Sequence, residues 1–253
     1  MSESLSSATE NSKRSLHENA VQPTQWLLDH LRSTLGETLV AAAVYGPAVT
    51  DIFDTRQHRI HVLVVLTHRC VDRLLELAKI SREATKRKIA PPLITCEESM
   101  HSSRDVFPLE WLDIDDFHKV IHGQIDLEAE LDPEMIRLQC ERDLRSMDIQ
   151  LLRGVLASGG RPRRIDRLER EASDMLIRIL RGIVWLGGSR RPLLPDQLCD
   201  RCESLVGDGL PGCREAIATG GRHDMETFKQ LVDEVVRLSQ FVDGMSAGET
   251  APR

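Results

Sequence analysis

Thr38-Leu-Val-Ala-Ala-Ala-Val-Tyr45-Gly46-Pro47, a polar loop over 48–58, and Arg59-Ile-His-Val-Leu-Val-Val-Leu66 decide how the chain is read. Each run is short, apolar and closed by turn residues, as a buried strand is. The second is rich in valine and isoleucine, whose branched side chains pack well on a pleated surface. A dozen residues between them fit two neighbouring strands of one sheet, over 38–45 and 59–66.

Working outward, the upstream flank predicts a helix. It starts near Pro23, a good first-turn residue, and runs through Trp26, Leu27, His30, Leu31 and Leu35 to a stop at Gly36. The serine-rich residues 1–20 predict a disordered tail. Downstream, Leu74, Leu75, Leu77, Ala78 and Ile80 predict a helix over 71–88, barred from continuing by Pro91-Pro92. Residues 93–95 read as a short strand and 97–102 as a helical turn. Two more strands are expected over 106–114 and 117–121, with Gly123 as a stop. After Asp132-Pro133, an N-cap followed by proline at the first helical position, the pattern is helical only. Helices are expected over 133–157, 164–186, 195–206, 212–218 and 225–243. The expected fold class is therefore α+β (α/β-like): a small mixed-sheet domain over 21–131, then a helical bundle over 132–243, with tails over 1–20 and 244–253. The chain shows no internal repeat.

Composition narrows the function classes. The chain has 253 residues, 41% apolar and 29% charged, ordinary values for a globular protein. No apolar run is long enough to span a bilayer, and the N-terminus carries no secretory pattern. With 6 cysteines and no export signal, reduced thiols and a cytoplasmic location are expected. Net charge is −7, unevenly spread: 97–148 holds 15 acidic and 5 basic residues, and 153–191 holds 10 arginines against 4 acids. The arginine block reads either as a solvated face or as a surface for an anionic partner. Aromatics are only 4% and none is interleaved with that block, so nucleic acid is not the expected partner.

Tyr45-Gly46-Pro47, the polar loop and Arg59-Ile60-His61-Val-Leu-Val-Val-Leu66 together resemble the nucleotidyltransferase superfamily. In that family a strand ends in Gly-Ser, and about ten residues later an Asp-x-Asp pair opens a second strand. The turn holds nucleotide phosphates. The two carboxylates leave one face of the strand and bind Mg²⁺ for in-line phosphoryl transfer. Here Pro47 stands where the serine would be, and Arg59 and His61 stand where the carboxylates would be. Proline has neither hydroxyl nor amide hydrogen. Arginine is a permanent cation, and histidine nitrogen is a poor partner for an oxygen-seeking ion. A third carboxylate is expected from Glu110 or Asp113 on a later strand, with Glu110 preferred. The similarity covers about residues 25 to 160. It includes Asp105-Val-Phe-Pro-Leu-Glu-Trp-Leu-Asp-Ile114, Gly123 and Arg137-Leu-Gln-Cys-Glu-Arg142, a pattern like that of uncharacterised bacterial members. The resemblance implies the fold and argues against its chemistry.

Other constellations carry more than one reading. Cys199 and Cys202, with Cys213 and His223 farther on, begin like a zinc site but lack a tight second pair. They also fit one apolar helix face with Leu198 and Leu205, the preferred reading, and a redox pair is the third. His118 and His122 share a face and are candidate metal ligands or simply exposed strand residues. His58 and His61 fall on opposite faces of a strand. Arg137, Arg145 and Arg153, with Arg142 nearby, either hold phosphate or pair with Glu134, Glu141 and Asp148.

The function expected from the sequence is a catalytically inactive nucleotidyltransferase-like protein that binds a nucleotide or a protein partner, with no cofactor and no membrane contact. Its anion-binding residues would be Arg59, Arg137 and Arg145, beside a pocket of Gly46, Pro47, Arg59 and His61. One alternative is an active transferase using Mg²⁺ and a nucleoside triphosphate, with displaced carboxylates from Asp51, Asp54, Glu110 and Asp113. Another is one component of a toxin–antitoxin pair.

Overall fold

The structure, a computed structural model, describes residues 15–56, 58–102, 106–125, 131–219 and 225–245. Of the expected tails over 1–20 and 244–253, residues 1–14 and 246–253 lie outside the described residues, as does His223. The chain divides into two compact units, Met1–Val106 with Asp113–Glu130, and Phe107–Leu112 with Leu131–Arg253.

The first unit opens with helix α1 (Glu18–Leu35), which starts five residues before Pro23. The His17 ring accepts from the Asn19 amide at 3.2 Å and caps it. Pro23 therefore sits inside the helix, not at its start. Glu18 to Ala20, expected in the tail, are helical, and Ala20 is fully buried. Strands β1 (Leu39–Tyr45), β2 (His61–Leu66), β3 (Leu93–Cys96) and β4 (His118–His122) form one sheet in the order β3-β2-β1-β4. β1 is antiparallel to β2 and to β4, and β2 is parallel to β3. The two apolar runs are thus neighbours in a mixed sheet. Ala41 through Val44 and Val62 through Leu66 are all buried, which explains why both read as continuous apolar runs.

The helix expected over 71–88 is two helices, α2 (Val71–Ala78) and α3 (Ser81–Lys86). The chain tightens between them, where the amides of Lys79 and Ile80 bond three residues back to Glu76 and Leu77. A short helix α4 (Glu97–Ser102) follows β3.

The expected strand over 106–114 is wrong: helix α5 spans Pro108–Asp116. Only Leu112-Asp-Ile-Asp115 alternates as a strand does, and the adjacent apolar pair Trp111-Leu112 breaks that period. Pro108, at the first helical position, needs no amide partner and starts the helix.

The second unit is helical. Its helices are α6 (Pro133–Ser158), α7 (Pro162–Leu186), α8 (Pro195–Val206), α9 (Pro211–Thr219) and α10 (Met225–Asp243). No strand occurs beyond 133 among the described residues. Asp132 caps α6 by accepting from Glu134 N at 2.9 Å, and Gly159 ends it in the left-handed region. Leu144, Met147 and Leu151 of α6 share a core with Leu176, Ile179 and Ile183 of α7, Cys202 of α8 and Leu238 of α10. Gly182 sits inside α7 because a Cβ there would lie 2.5 Å from Leu109 Cδ2 and 2.6 Å from Cys140 Sγ.

Candidate functional site

The register of the sheet assembles one end of it. Tyr45 of β1 stands opposite His61 of β2 and opposite His118 of β4. Directly opposed residues share a face, so His61, Tyr45 and His118 form a row across three strands. The Tyr45 and His61 rings are 5.6 Å apart. Gly46 follows Tyr45 with φ +75, a conformation natural to glycine, and its amide donates to the Phe117 carbonyl at 2.8 Å. The chain then makes a single 3₁₀ turn over Gly46–Val49. It is fastened by the Thr50 amide and hydroxyl, which donate to the Pro47 carbonyl at 2.9 and 2.8 Å.

Arg59, the expected first residue of the strand, lies just before β2, which begins two residues later at His61. The backbone there is nonetheless fixed. The Ile60 amide donates to the Lys88 carbonyl at 2.8 Å, and the Ile60 carbonyl accepts from Ala90 at 3.0 Å. Ile60 is fully buried, Arg59 is exposed and His61 is half-buried. The alternation puts Arg59 and His61 on the side opposite Ile60, at the sheet end that carries Gly46.

The loop between β1 and β2 is built around Phe53. Its ring meets His17 edge-on at 5.5 Å and stacks with His58 at 6.2 Å. The Asp54 amide donates to His58 Nδ1 at 3.0 Å. Arg56 grips the Asp54 carboxylate, with Nε at 3.2 and 3.1 Å from its two oxygens and Nη2 at 2.9 Å. Those bonds hold the Asp54 carboxyl below the ordinary range. Asp51 is exposed at the turn. Sequence reasoning missed Phe53 and His17 as parts of this end, and it noted Tyr45 and His118 without joining them. Tyr45 had one signal to offer: it is the only tyrosine and directly precedes Gly46.

Glu110 is on helix α5, not on a strand, and belongs to the helical unit. Its carboxylate accepts from Arg178 Nη1 at 3.2 Å and from Gln139 Nε2 at 3.2 Å. Asp143 lies in the same cluster, its carboxyl raised first by burial and then by the Glu110 charge. Asp113, also on α5, is half-buried and sorts with the first unit.

The arginines of α6 pair along the helix. Arg137 donates to Glu134 at 2.9 and 2.7 Å and to Glu141 at 3.3 Å, with its side chain only 14% exposed. Arg145 donates to Glu141 at 2.9 Å and lies 3.7 Å from Asp243. Arg153 is exposed.

Cys199 and Cys202 are buried on α8, in the core with Cys140 and Cys213. Among the described residues no group of three His, Cys, Asp or Glu side chains is arranged to hold a metal ion. His118 Nδ1 lies 3.0 Å from the Ile114 carbonyl, and His122 Nδ1 faces Arg32 Nη2 at 3.2 Å.

The donors at Gly46, Pro47, Arg59 and His61 do not fit Mg²⁺. A guanidinium offers no lone pair, the proline offers no hydroxyl, and the imidazole offers nitrogen to an ion that takes oxygen. No step of a metal-dependent transfer can be drawn through these residues.

Among solved structures, the chain is similar to a spectinomycin adenyltransferase from Enterococcus faecialis, solved with ATP and spectinomycin. The TM-score is 0.56 at 12% identity, over 88% of this chain and 99% of that one. The likeness is one of fold: a nucleotidyltransferase-like sheet domain followed by helices. No family model matches the chain, and no curated protein matches it.

Proposed function

We propose that the chain is a nucleotidyltransferase-like protein without metal-dependent transferase activity, serving as a cytoplasmic nucleotide- or partner-binding module. The observation that carries this reading is the pair Arg59 and His61 beside the Gly46 turn. The place where the fold would gather negative charge holds a fixed cation and an imidazole.

Such an end attracts a phosphate directly. An exposed guanidinium presents a rigid fork of donors that matches phosphate oxygens. Arg59 is the anion-binding residue in this proposal, because Arg137 and Arg145 are already engaged by Glu134, Glu141 and Asp243. Similarity to the fold of an adenyltransferase solved with ATP makes a nucleotide the first ligand to try. No helix among the described residues is long and apolar enough to cross a membrane.

That same neighbour favours one rival, an active transferase with displaced carboxylates. Its candidates are Asp51, Asp54, Glu110 and Asp113. Arg56 and Arg178 occupy Asp54 and Glu110, which weighs against it.

The test is a titration of the full chain with ATP, in Mg²⁺ and again in EDTA. Binding of equal strength in both, weakened about tenfold or more by Arg59→Ala, supports the proposal. Mg²⁺-dependent release of pyrophosphate by the wild-type chain rejects it. Loss of that activity in Glu110→Ala would assign the displaced-carboxylate rival.

A further inference from the structure

Helix α6 carries a second face that its own unit leaves open. Arg142, Arg145, Ile149, Leu152 and Leu156 succeed one another at steps of three, four, three and four residues. That is the spacing of a heptad seam. All five are exposed, Ile149 by 55%, Leu152 by 51% and Leu156 by 83%. The buried face of the same helix is a different set: Ile136, Cys140, Leu144, Met147 and Leu151.

The packing of α6 inside the unit is already complete. A Cβ on Gly154 would lie 2.5 Å from Leu168 of α7, so that side of α6 is closed. On the helical wheel Ile149, Leu152 and Leu156 fall on the side opposite Gly154. The seam runs over 142–156, about 21 Å of helix. Acids line one flank, with Asp148 before Ile149 and Glu141 and Asp243 paired with Arg145, and the exposed positive charge lies at Arg142 and Arg153. Arg142 and Arg145 begin the seam, and exposed Arg153 adjoins Leu152. The nearby acid Glu141 is bound by Arg137 and Arg145.

We propose that this face seats an amphipathic helix of an acidic protein partner, with apolar side chains at the same three–four spacing and carboxylates against Arg142 and Arg153, Arg145 being engaged by Glu141 and Asp243. Charge complementarity selects this occupant. A second copy laid parallel would set Arg142 against Arg142 and Arg145 against Arg145. Laid antiparallel, it would set those guanidinium groups on Leu156 and Leu152. A polynucleotide would press phosphates onto leucine, and the seam has no aromatic for base stacking. A bilayer surface suits a broad apolar face, whereas this is the narrow stripe of helix pairing. The proposal stands independently of any nucleotide site.

The experiment titrates the full chain with a fluorescein-labelled synthetic helix of about three heptads, leucine on its seam and glutamate flanking it. A second helix has lysine in place of every glutamate. The glutamate helix is expected to bind saturably and the lysine helix not. Leu152→Ser with Leu156→Ser should weaken binding about tenfold or more. Arg142→Glu with Arg153→Glu should exchange the preference, losing the glutamate helix and gaining the lysine helix. All four substitutions are at exposed positions, and far-ultraviolet circular dichroism checks that the variants remain folded. The proposal is overturned if the two peptides bind alike, if the glutamate helix does not bind, or if the leucine variants leave binding unchanged. It is equally overturned if those leucines instead sustain a homodimer by light scattering, or sedimentation with anionic vesicles.

Discussion

Tyr45 and His61 oppose each other on β1 and β2, their rings 5.6 Å apart, at the point where β1 passes into the Gly46 turn. The contact joins the two halves of a motif that the chain separates by a loop. The side chain at the start of β2 packs against a ring on β1, an arrangement that cross-strand pairs favour by about 0.2–1 kcal/mol.

The helical unit contains a joint that should be intolerant of change. The buried Glu234 carboxylate accepts from the Gly212 amide at 2.9 Å and from the Cys213 amide at 2.7 Å, which satisfies the start of α9. A Cβ on Gly212 would lie 2.3 Å from the Leu231 backbone nitrogen. Gly212→Ala should cost about 3 kcal/mol or more, since backbone has to move. Glu234→Gln should cost about 2 kcal/mol, because one carboxylate oxygen becomes an amide donor facing an amide donor. Urea unfolding of the two variants measures both; near-wild-type midpoints would show that α9 starts without this cap.

Much of this was legible from local signals. The helices over 195–206 and 225–243 match the sequence reading residue for residue. The strands are legible because uninterrupted valine and alanine runs have few other solutions. What failed was a stretch with little period to read. Residues 106–114 are apolar-rich and alternate only over Leu112 to Ile114, and Pro108 starts a helix there, so Glu110 moves with it from strand to helix. At the site, Gly46, Arg59 and His61 could be picked out by spacing along the chain. The row formed with His118 could not, since it exists only once β4 pairs with β1. The pairing of Arg137 with Glu134 and Glu141 was one of two readings, and the geometry realises it.

Glu169 predicts a pH dependence. It is 1% exposed on α7, and its carboxyl is pushed up to about 7, first by burial and then by Asp166, with Arg170 opposing. The folded chain therefore holds this proton more tightly than the unfolded chain, whose carboxyl titrates near 4.3. The contribution to stability is full below about pH 4.3 and is lost as pH rises to about 7, beyond which the cost stays constant. Glu169→Gln should raise stability by about 1–3 kcal/mol at pH 8 and change little near pH 4.3. Denaturant midpoints at the two pH values decide it. An equal offset at both, or a less stable variant at pH 8, would contradict the assignment.

The thiols should differ sharply in reactivity. Burial pushes Cys199 up to about 11 and Cys202 up to about 12, and raises Cys140 and Cys213 as well. Cys70 alone is half-buried, while Cys96 joins the buried set. Since the thiolate is the reacting form, an aromatic disulfide reagent at about pH 8 should modify Cys70 first in the folded chain. The other five should follow only on unfolding. Metal analysis should find zinc well below one per chain, and one zinc per chain would reinstate Cys199 and Cys202 as ligands.

The last prediction tests the proposed reading by placing carboxylates at 59 and 61. Arg59→Asp with His61→Asp places two carboxylates at the start of β2, on the side opposite buried Ile60. Two unit charges about 4 Å apart interact by roughly 4 kcal/mol at an effective dielectric of 20, so exchanging repulsion for attraction is a large change even after screening by salt. The double variant should bind Mn²⁺, used as a paramagnetic stand-in for Mg²⁺, at least about tenfold more tightly than the wild type. Pyrophosphate release should still be absent. Pro47 supplies neither the hydroxyl nor the amide hydrogen that a serine would, and the Gly46 amide is committed to the Phe117 carbonyl. ATP binding in EDTA should fall in the same variant, because the guanidinium has gone and two negative charges meet the phosphates. Mn²⁺ titration followed by electron paramagnetic resonance reads the first effect, and the nucleotide titration reads the second. Unchanged Mn²⁺ affinity would mean that residues 59 and 61 do not share a site. Stronger nucleotide binding without metal would mean that Arg59 never held the phosphate.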